Sequence, residues 1–422
     1  MKITFKTTEL KELLSYHKKM SAASLNKHES LTNVYFYYDN DSDSVSIMSS
    51  DGDNVLKTEL SADVKGRVSF IDFQLNAERL NNIVSPLKEE EIVFDLTTLP
   101  KLTLISGTRK IEIPCVAGDF FFTKDLFFPK ESSVDLDFAA FKQTFDLTVF
   151  PSNLSSANKI YSSVLLNVNK NELKMVCTDG YLFSEQKAKI NSQLVKELVV
   201  PIEPVSIFIN TIQSLIDSCR KRKITLTGDF SVVFDDKYVL LKFSSKSFSV
   251  SGRVTLSSIN YPKYSALIPQ SLKAQMLVNV KELRSIVSSI ASSVEQIELD
   301  IESAVMLHSG NDFVNRKLLI FAKNSEITIN DNFDLLHFGE ECHIVFSSKY
   351  LEKILSNIEK LCDWVIIGYN QFPGAVILLP CQKDSVKLNS TQSENIFIIM
   401  SLSTETQYQL SKKNFAKKVN NV

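Results

Sequence analysis

Apolar residues recur three and four positions apart in six separate stretches of this chain, and between them the pattern changes to strand-like alternation. The helical stretches begin near Thr8, Asn76, Leu136, Glu203, Val280 and Ser348, at intervals of roughly 60 to 77 residues. Leu10, Leu13, Leu14 and His17 share one face of the first, with Thr8 as its N-cap. Phe138, Phe141, Phe145 and Val149 mark the third, Val205, Phe208, Ile212, Leu215 and Cys219 the fourth. The fifth shows Leu283, Ile286, Val287 and Ile290, the sixth Leu351, Ile354, Leu355 and Ile358. Each helix has one apolar stripe, so each packs on a sheet and leaves its other side in water.

Strand grammar fills the intervals. Val34 to Tyr38 and Val45 to Met48 flank a polar turn and read as an antiparallel hairpin. After the second helix, stopped by Ser85-Pro86, come Ile92 to Leu96, Lys101 to Ile105 and Lys110 to Ile113. One helix plus several strands, copied six times, accounts for nearly the whole chain. A length of 422 residues suits about three domains, two copies in each. The grammar lapses at Phe128 to Ser133 and at Pro262 to Lys273, which divides the chain into 1–130, 131–262 and 263–402. Residues 403–422 carry Lys412, Lys413, Lys417 and Lys418 without strand patterning and read as a basic C-terminal tail.

Net charge is −2, so any nucleic-acid binding must come from an uneven distribution of charge. Acid concentrates in turns such as Asp39 to Asp43 and Glu89 to Glu91, whereas base lies on the helices. The six cysteines form no C-x-x-C pair, which argues for reduced thiols and against a zinc site. No apolar run approaches the roughly 20 residues of a membrane span, and no secretory signal opens the sequence; a cytoplasmic protein is expected. Thr178-Asp179-Gly180 could be read as a catalytic loop, yet no second carboxylate, histidine or ligand set stands at a useful spacing. There is no P-loop and no G-x-G-x-x-G. An enzyme is not expected, nor a cofactor or metal.

Three stretches carry a family resemblance. Leu173 to Tyr181, L-K-M-V-C-T-D-G-Y, resembles the L-x-x-V-A-T-D-G-H-R-L stretch of the bacterial DNA polymerase III beta subunit, the sliding clamp. Tyr261-Pro262-Lys263-Tyr264 with Leu267-Ile268-Pro269 is similar to that family's F-P-D-Y linker, and Ile398 to Leu402 to its terminal V-V-M-P-M. The resemblance covers about residues 1 to 402 and implies an α+β fold of three similar clamp domains. Sheets would lie outside and helices would line a ring closed by a second copy. It implies a homodimer that encircles duplex DNA without reading sequence and tethers the replicative polymerase. The clamp loader and repair proteins would bind through short linear peptides.

Carried onto this sequence, the peptide pocket comprises Tyr161, Thr178, Gly180, Tyr181, Phe183, Pro262, Leu267, Ile398, Met400 and Leu402. The DNA-facing set is Lys11, Lys18, Lys19, Arg79, Lys142, Arg220, Lys221, Arg222, Lys223, Lys281, Arg284, Lys349 and Lys353. The subunit contact takes Ile111 and Ile113 on a strand, with Ile286 and Ile290 on the fifth helix. Serines 288, 289, 292 and 293 on that helix imply a small contact. The chain departs from the family at Tyr181, where histidine is usual, and at Leu182 and Ser401. A clamp-like scaffold that does not encircle DNA is the alternative reading.

Overall fold

The computed structural model describes residues 1–21, 29–39, 44–60, 63–66, 70–116, 133–301, 314–323, 326, 328–339, 343–370, 374–386, 390–391 and 393–401. Six units of one helix and its strands follow one another. The first has β1 (Lys2–Lys6), α1 (Thr7–Met20), β2 (Asn33–Asp39), β3 (Ser44–Ser50), β4 (Val55–Leu60) and β5 (Asp63–Lys65). The second has β6 (Phe70–Asn76), α2 (Ala77–Val84), β7 (Glu91–Asp95), β8 (Lys101–Ser106) and β9 (Arg109–Pro114). In the third, β10 (Ser133–Leu136) and α3 (Phe138–Val149) precede β11 (Ser163–Asn169), β12 (Glu172–Thr178) and β13 (Leu182–Lys189). The fourth contains β14 (Val195–Pro201), α4 (Ile202–Lys221), β15 (Gly228–Phe234), β16 (Tyr238–Ser245) and β17 (Phe248–Thr255). The fifth contains β18 (Ala274–Asn279), α5 (Val280–Ala291), β19 (Gln296–Ile301), β20 (Val314–Lys323) and β21 (Thr328–Gly339). The sixth contains β22 (His343–Ser347), α6 (Ser348–Ile358), β23 (Trp364–Tyr369), β24 (Ala375–Cys381) and β25 (Asn395–Met400).

Each helix starts within two residues of its expected place. Thr8 is not a cap: α1 begins one residue earlier, and the Thr7 amide donates to the Glu90 carbonyl at 3.0 Å. Asn76 and Asn279 do cap, their side chains accepting from the amides of Arg79 and Glu282.

The chain divides into two compact units. The first takes residues 1–143, 162–173 and 189–259. Its sheets run β5-β1-β7-β8-β9 and β10-β15-β16-β17-β4-β3-β2-β6, with β11 and β14 as a further antiparallel pair. Phe36 stacks on Phe73 at 5.0 Å, and Phe5 and Phe94 meet Phe36 edge-on. His17, on the apolar face of α1, is fully buried; its ring nitrogens meet Ser49 Oγ at 2.8 Å and Thr58 Oγ1 at 3.0 Å.

The second unit takes residues 144–161, 174–188 and 260–422. Its sheet runs from β12 and β13 through β25-β24-β23-β18-β21-β20-β19-β22. The stripes of α5 and α6 close its core: Leu283, Val287, Ile290, Leu351, Ile354, Leu355 and Ile358 are fully buried. Each such side chain contributes roughly 1.5–3 kcal/mol by leaving water.

Candidate functional site

The second unit exposes apolar side chains around one turn, Thr178 to Leu182. The Asp179 carboxylate accepts from the amides of Tyr181 and Leu182 at 2.9 and 2.7 Å, and Thr178 Oγ1 donates to the Leu182 carbonyl at 2.7 Å. Gly180 sits at φ +94, and a Cβ there would stand 2.8 Å from the Tyr161 hydroxyl. Only glycine meets both conditions. So fixed, the turn throws Tyr181 outward, 56% exposed, with its ring 6.0 Å from that of Tyr350 on α6. The Met400 amide donates to the Tyr181 carbonyl at 2.9 Å, which seats the end of β25 beside the turn.

The Tyr261 to Leu267 segment runs along the same strands. The Tyr261 hydroxyl donates to the Val176 carbonyl at 3.3 Å, and burial pushes that phenol far above its ordinary range. Tyr264 packs on Phe183 with ring centroids 5.4 Å apart. Leu267 is 42% exposed and Leu154 53%. Tyr161, Thr178, Gly180, Tyr181, Phe183, Pro262, Leu267, Ile398 and Met400 all belong to this unit. Two need correction as walls: Phe183 and Ile398 are 3% and 1% exposed, because Tyr264 covers Phe183 and Ile398 lies opposite it on β25. They form floor, not lining. Leu402 lies outside the described residues.

Sequence reasoning missed Tyr350, whose ring meets that of Tyr181, and Tyr264, whose ring packs on Phe183. An aromatic in the Tyr261 linker was the one available signal.

The first unit contains the same turn at Ser50 to Asn54. Asp51 Oδ1 accepts from the Asn54 amide at 2.7 Å, Ser50 Oγ donates to the Asn54 carbonyl, and Gly52 has φ +102. There the exposed position is Asp53, whose carbonyl accepts from the Thr255 hydroxyl, and the Thr255 amide donates to Asn54 Oδ1 at 3.0 Å. One backbone device thus appears twice, once closed by hydrogen bonds and once presenting tyrosine, leucine and methionine. The second can receive an apolar side chain; the first cannot without losing those bonds.

The helix cations fall into two groups. Lys11 donates to the Leu87 carbonyl, Lys18 pairs with Glu78 at 3.1 Å, and Arg222 pairs with Glu9 at 3.3 Å, tying α4 to α1. Lys281 pairs with Asp363 at 2.9 Å, and Arg284 is held by both Glu352 and Glu359. Lys353 lies 5.9 Å over the Phe150 ring, beside the exposed aromatics. Lys142 is half-buried. Arg284 is therefore corrected as a free DNA ligand: two carboxylates already neutralise it. The exposed remainder is Lys19, Arg79, Arg220, Lys221, Lys223 and Lys349. Arg220 touches Asp217 at 3.3 Å while staying largely in water. Among the described residues, Lys221 and Lys223 at the end of α4 are exposed side by side with Arg220.

Of the expected subunit-contact residues, Ile113 and Ile290 are buried in their own cores, so their side chains are not contact groups. Ile111 and Ile286 are half-exposed. Among the described residues β9 pairs with β8 alone. Residues 328–335 of β21 pair with β20 alone among the described residues, since β18 reaches only 336–339.

Among the described residues there is no group of three metal-ligating side chains, and no helix is long and apolar enough to cross a membrane.

No protein-family model matches the chain. The beta sliding clamp of Bacillus subtilis (strain 168) is 25% identical over 212 residues, 50% of this chain and 52% of that protein. The chain thus matches about half the length of that curated relative. Similar solved structures include a putative DNA polymerase III beta subunit of Eubacterium rectale, at TM-score 0.74 and 15% identity over 96% of this chain and 100% of that one. The DNA polymerase III beta subunit of Thermotoga maritima follows at TM-score 0.72 and 18% identity, covering 96% and 99%. A Pseudomonas aeruginosa sliding clamp bound to griselimycin gives TM-score 0.74 and 17% identity, covering 96% and 100%. Over nearly its whole length, then, this chain has the fold of the bacterial DNA polymerase III beta subunit, the sliding clamp.

Proposed function

We propose that the chain is a sliding clamp: a non-enzymatic ring of two copies, each with domains 1–130, 131–262 and 263–402, that encircles duplex DNA in the cytoplasm. The exposed cations listed above would contact phosphates, weakly and without sequence preference, and topology would supply retention. The turn at Tyr181 would receive short apolar peptides from the replicative polymerase, the clamp loader and repair proteins, as griselimycin is bound by one clamp of this fold.

The repetition of strand joints carries the ring. In the first unit β4 pairs with β17, and in the second β13 pairs with β25. Each joint sets the last long strand of an odd-numbered repeat against the last strand of an even-numbered one. The strands left over are β21 and β9. α1 and α5 start at Thr7 and Val280, 273 residues apart, and Lys2 pairs with Lys65 as Gln275 pairs with Phe338, at the same offset. Val55 on β4 therefore corresponds to Thr328. Stepping across β7, β8 and β9 and across β15, β16 and β17 equates Glu112 with Arg253, the partner of Val55. A joint of the same register between two copies sets Ile329 opposite Ile111 and Asp331 opposite Arg109. One contact is apolar and the other is of opposite charge, as cross-strand pairs require. On α5, the positions matching the α1 residues that face α4 (Glu9, Glu12) are Glu282 and Ser285, which are small or polar.

The test is a charge swap. Arg109→Asp should shift the protein toward monomer in sedimentation velocity, and adding Asp331→Arg should restore the dimer and closed rings in negative-stain images. A dimer indifferent to Arg109→Asp removes this joint. Open three-lobed arches in the natural protein would favour the scaffold reading.

A further inference from the structure

We propose that Cys362 and Cys381 form a peroxide-sensitive dithiol: oxidation joins them in a reversible disulfide that staples the turn after α6 to β24. The inference is independent of the clamp reading.

These two thiols stand apart from the others and next to each other. Among the described residues Cys115, Cys177 and Cys219 are buried, whereas Cys362 and Cys381 are half-exposed. β23 and β24 pair so that Trp364 lies opposite Cys381, which puts both side chains on one face of the sheet. Cys362 precedes Trp364 by two residues, and its thiol donates to the Trp364 carbonyl at 2.9 Å. The amides of Trp364 and Cys381 donate to the same sulfur. The Cys362 sulfur thus lies against the backbone of Cys381, and closing the bond falls to the side-chain torsions of the two residues.

The surroundings set the order of attack. Burial raises the Cys362 thiol, but two amides pull against it and would hold the anion. Burial and the neighbouring Cys362 push Cys381 up to about 12, with one amide, that of Ile366, opposing. Cys362 is therefore the first to ionise and attack. Its sulfur takes one oxygen from hydrogen peroxide as the O–O bond breaks, leaving a sulfenic acid and water. The Cys381 sulfur then attacks that sulfenic sulfur; the S–O bond breaks, and the oxygen departs as a second water with the Cys381 proton. Two thiols lose two electrons and two protons, and the peroxide takes up both. Because both thiols stand above the ordinary range, the pair stays reduced at low peroxide and closes only under a sustained load.

The staple has something to hold. The Asp363 carbonyl accepts from the Val280 amide at 2.9 Å, and its carboxylate pairs with Lys281, so the turn bearing Cys362 carries the first residues of α5. Tying that turn to β24 encloses β23 in a covalent loop and removes freedom from its opened state.

In the experiment the full-length protein is exposed to hydrogen peroxide, alkylated after unfolding and digested without reductant for mass spectrometry. The expected product is a peptide pair joined through Cys362 and Cys381 and separated by dithiothreitol. Hydrogen exchange in β23 and β24 should be about 10-fold slower than in the reduced chain. In Cys381→Ser, dimedone should trap a sulfenic acid on Cys362; trapping on Cys381 in Cys362→Ser instead overturns the order of attack. Full alkylation of both thiols after peroxide, or a bond from either to a different cysteine, overturns the inference. A Cys362–Cys381 bond that leaves exchange unchanged overturns the staple.

Discussion

Acid should loosen the first unit more than the second, because of one imidazole. His17 is fully buried between Ser49 and Thr58, and burial lowers its pKa from 6.5 to about 3. A depressed folded value means that the unfolded chain takes up a proton the folded chain refuses. The contribution is therefore complete above pH 6.5 and is lost as pH falls toward 3. At pH 5 the free imidazole is protonated about 30 to 1, so opening around His17 is favoured by about 2 kcal/mol relative to pH 7.5, on the order of 30-fold. Glu9, on the same helix, acts with the opposite sign. Its carboxyl is raised, chiefly by burial and against the pull of Arg222. The comparison with His17→Gln cancels that term, since Glu9 is common to both proteins. Hydrogen exchange of the β3 and β4 amides, read by mass spectrometry at pH 7.5 and 5.0 and corrected for intrinsic rates, measures the effect. The natural chain should lose about 30-fold more protection there than His17→Gln, with β23 and β24 as an internal reference. Equal losses in the two proteins would refute the assignment of a neutral, proton-refusing His17.

Two further outcomes follow from the geometry. Lys221→Glu with Lys223→Glu, which leaves the Arg222–Glu9 tie intact, should weaken duplex binding and reduce the salt slope by about two; an unchanged slope in fluorescence anisotropy takes these lysines off the DNA. Gly180→Ala, forced to φ +94 and against the Tyr161 hydroxyl, should cost about 1–2 kcal/mol and weaken griselimycin binding, and a variant matching the natural chain in both melting temperature and calorimetry contradicts the role given to the turn.

Local pattern carried the elements far and the contacts less far. Six helices were legible because each shows an apolar stripe at a spacing that needs no knowledge of the partner surface. His17 fell on the buried face for the same reason. The fate of Arg284 was hidden, since its carboxylates, Glu352 and Glu359, stand 68 and 75 residues away and reach it only when α5 and α6 pack. Ile113 and Ile290 were misassigned by one physical ambiguity: an isoleucine on an amphipathic face looks the same whether its own core or a second copy covers it. The residues gathered around the Tyr181 turn stood in short motifs, but Tyr350 reached them only through tertiary placement. The kinship of Ser50–Asn54 with Thr178–Leu182 was invisible as letters, because serine replaces threonine and the last two residues differ. It became plain as hydrogen bonds.

That paired turn separates what holds the backbone from what faces outward. The aspartate, the glycine and the preceding hydroxyl fix the loop, while the fourth position, Asp53 in one copy and Tyr181 in the other, enters through its backbone amide, which donates to the aspartate whatever side chain it carries. Substitution there costs the fold little. The residue at 181 can therefore be exchanged, and the chemistry of the exposed surface changed with it, without crossing an unstable intermediate. The same plan gives an engineer one codon at which to change the exposed surface while the scaffold stays as it is.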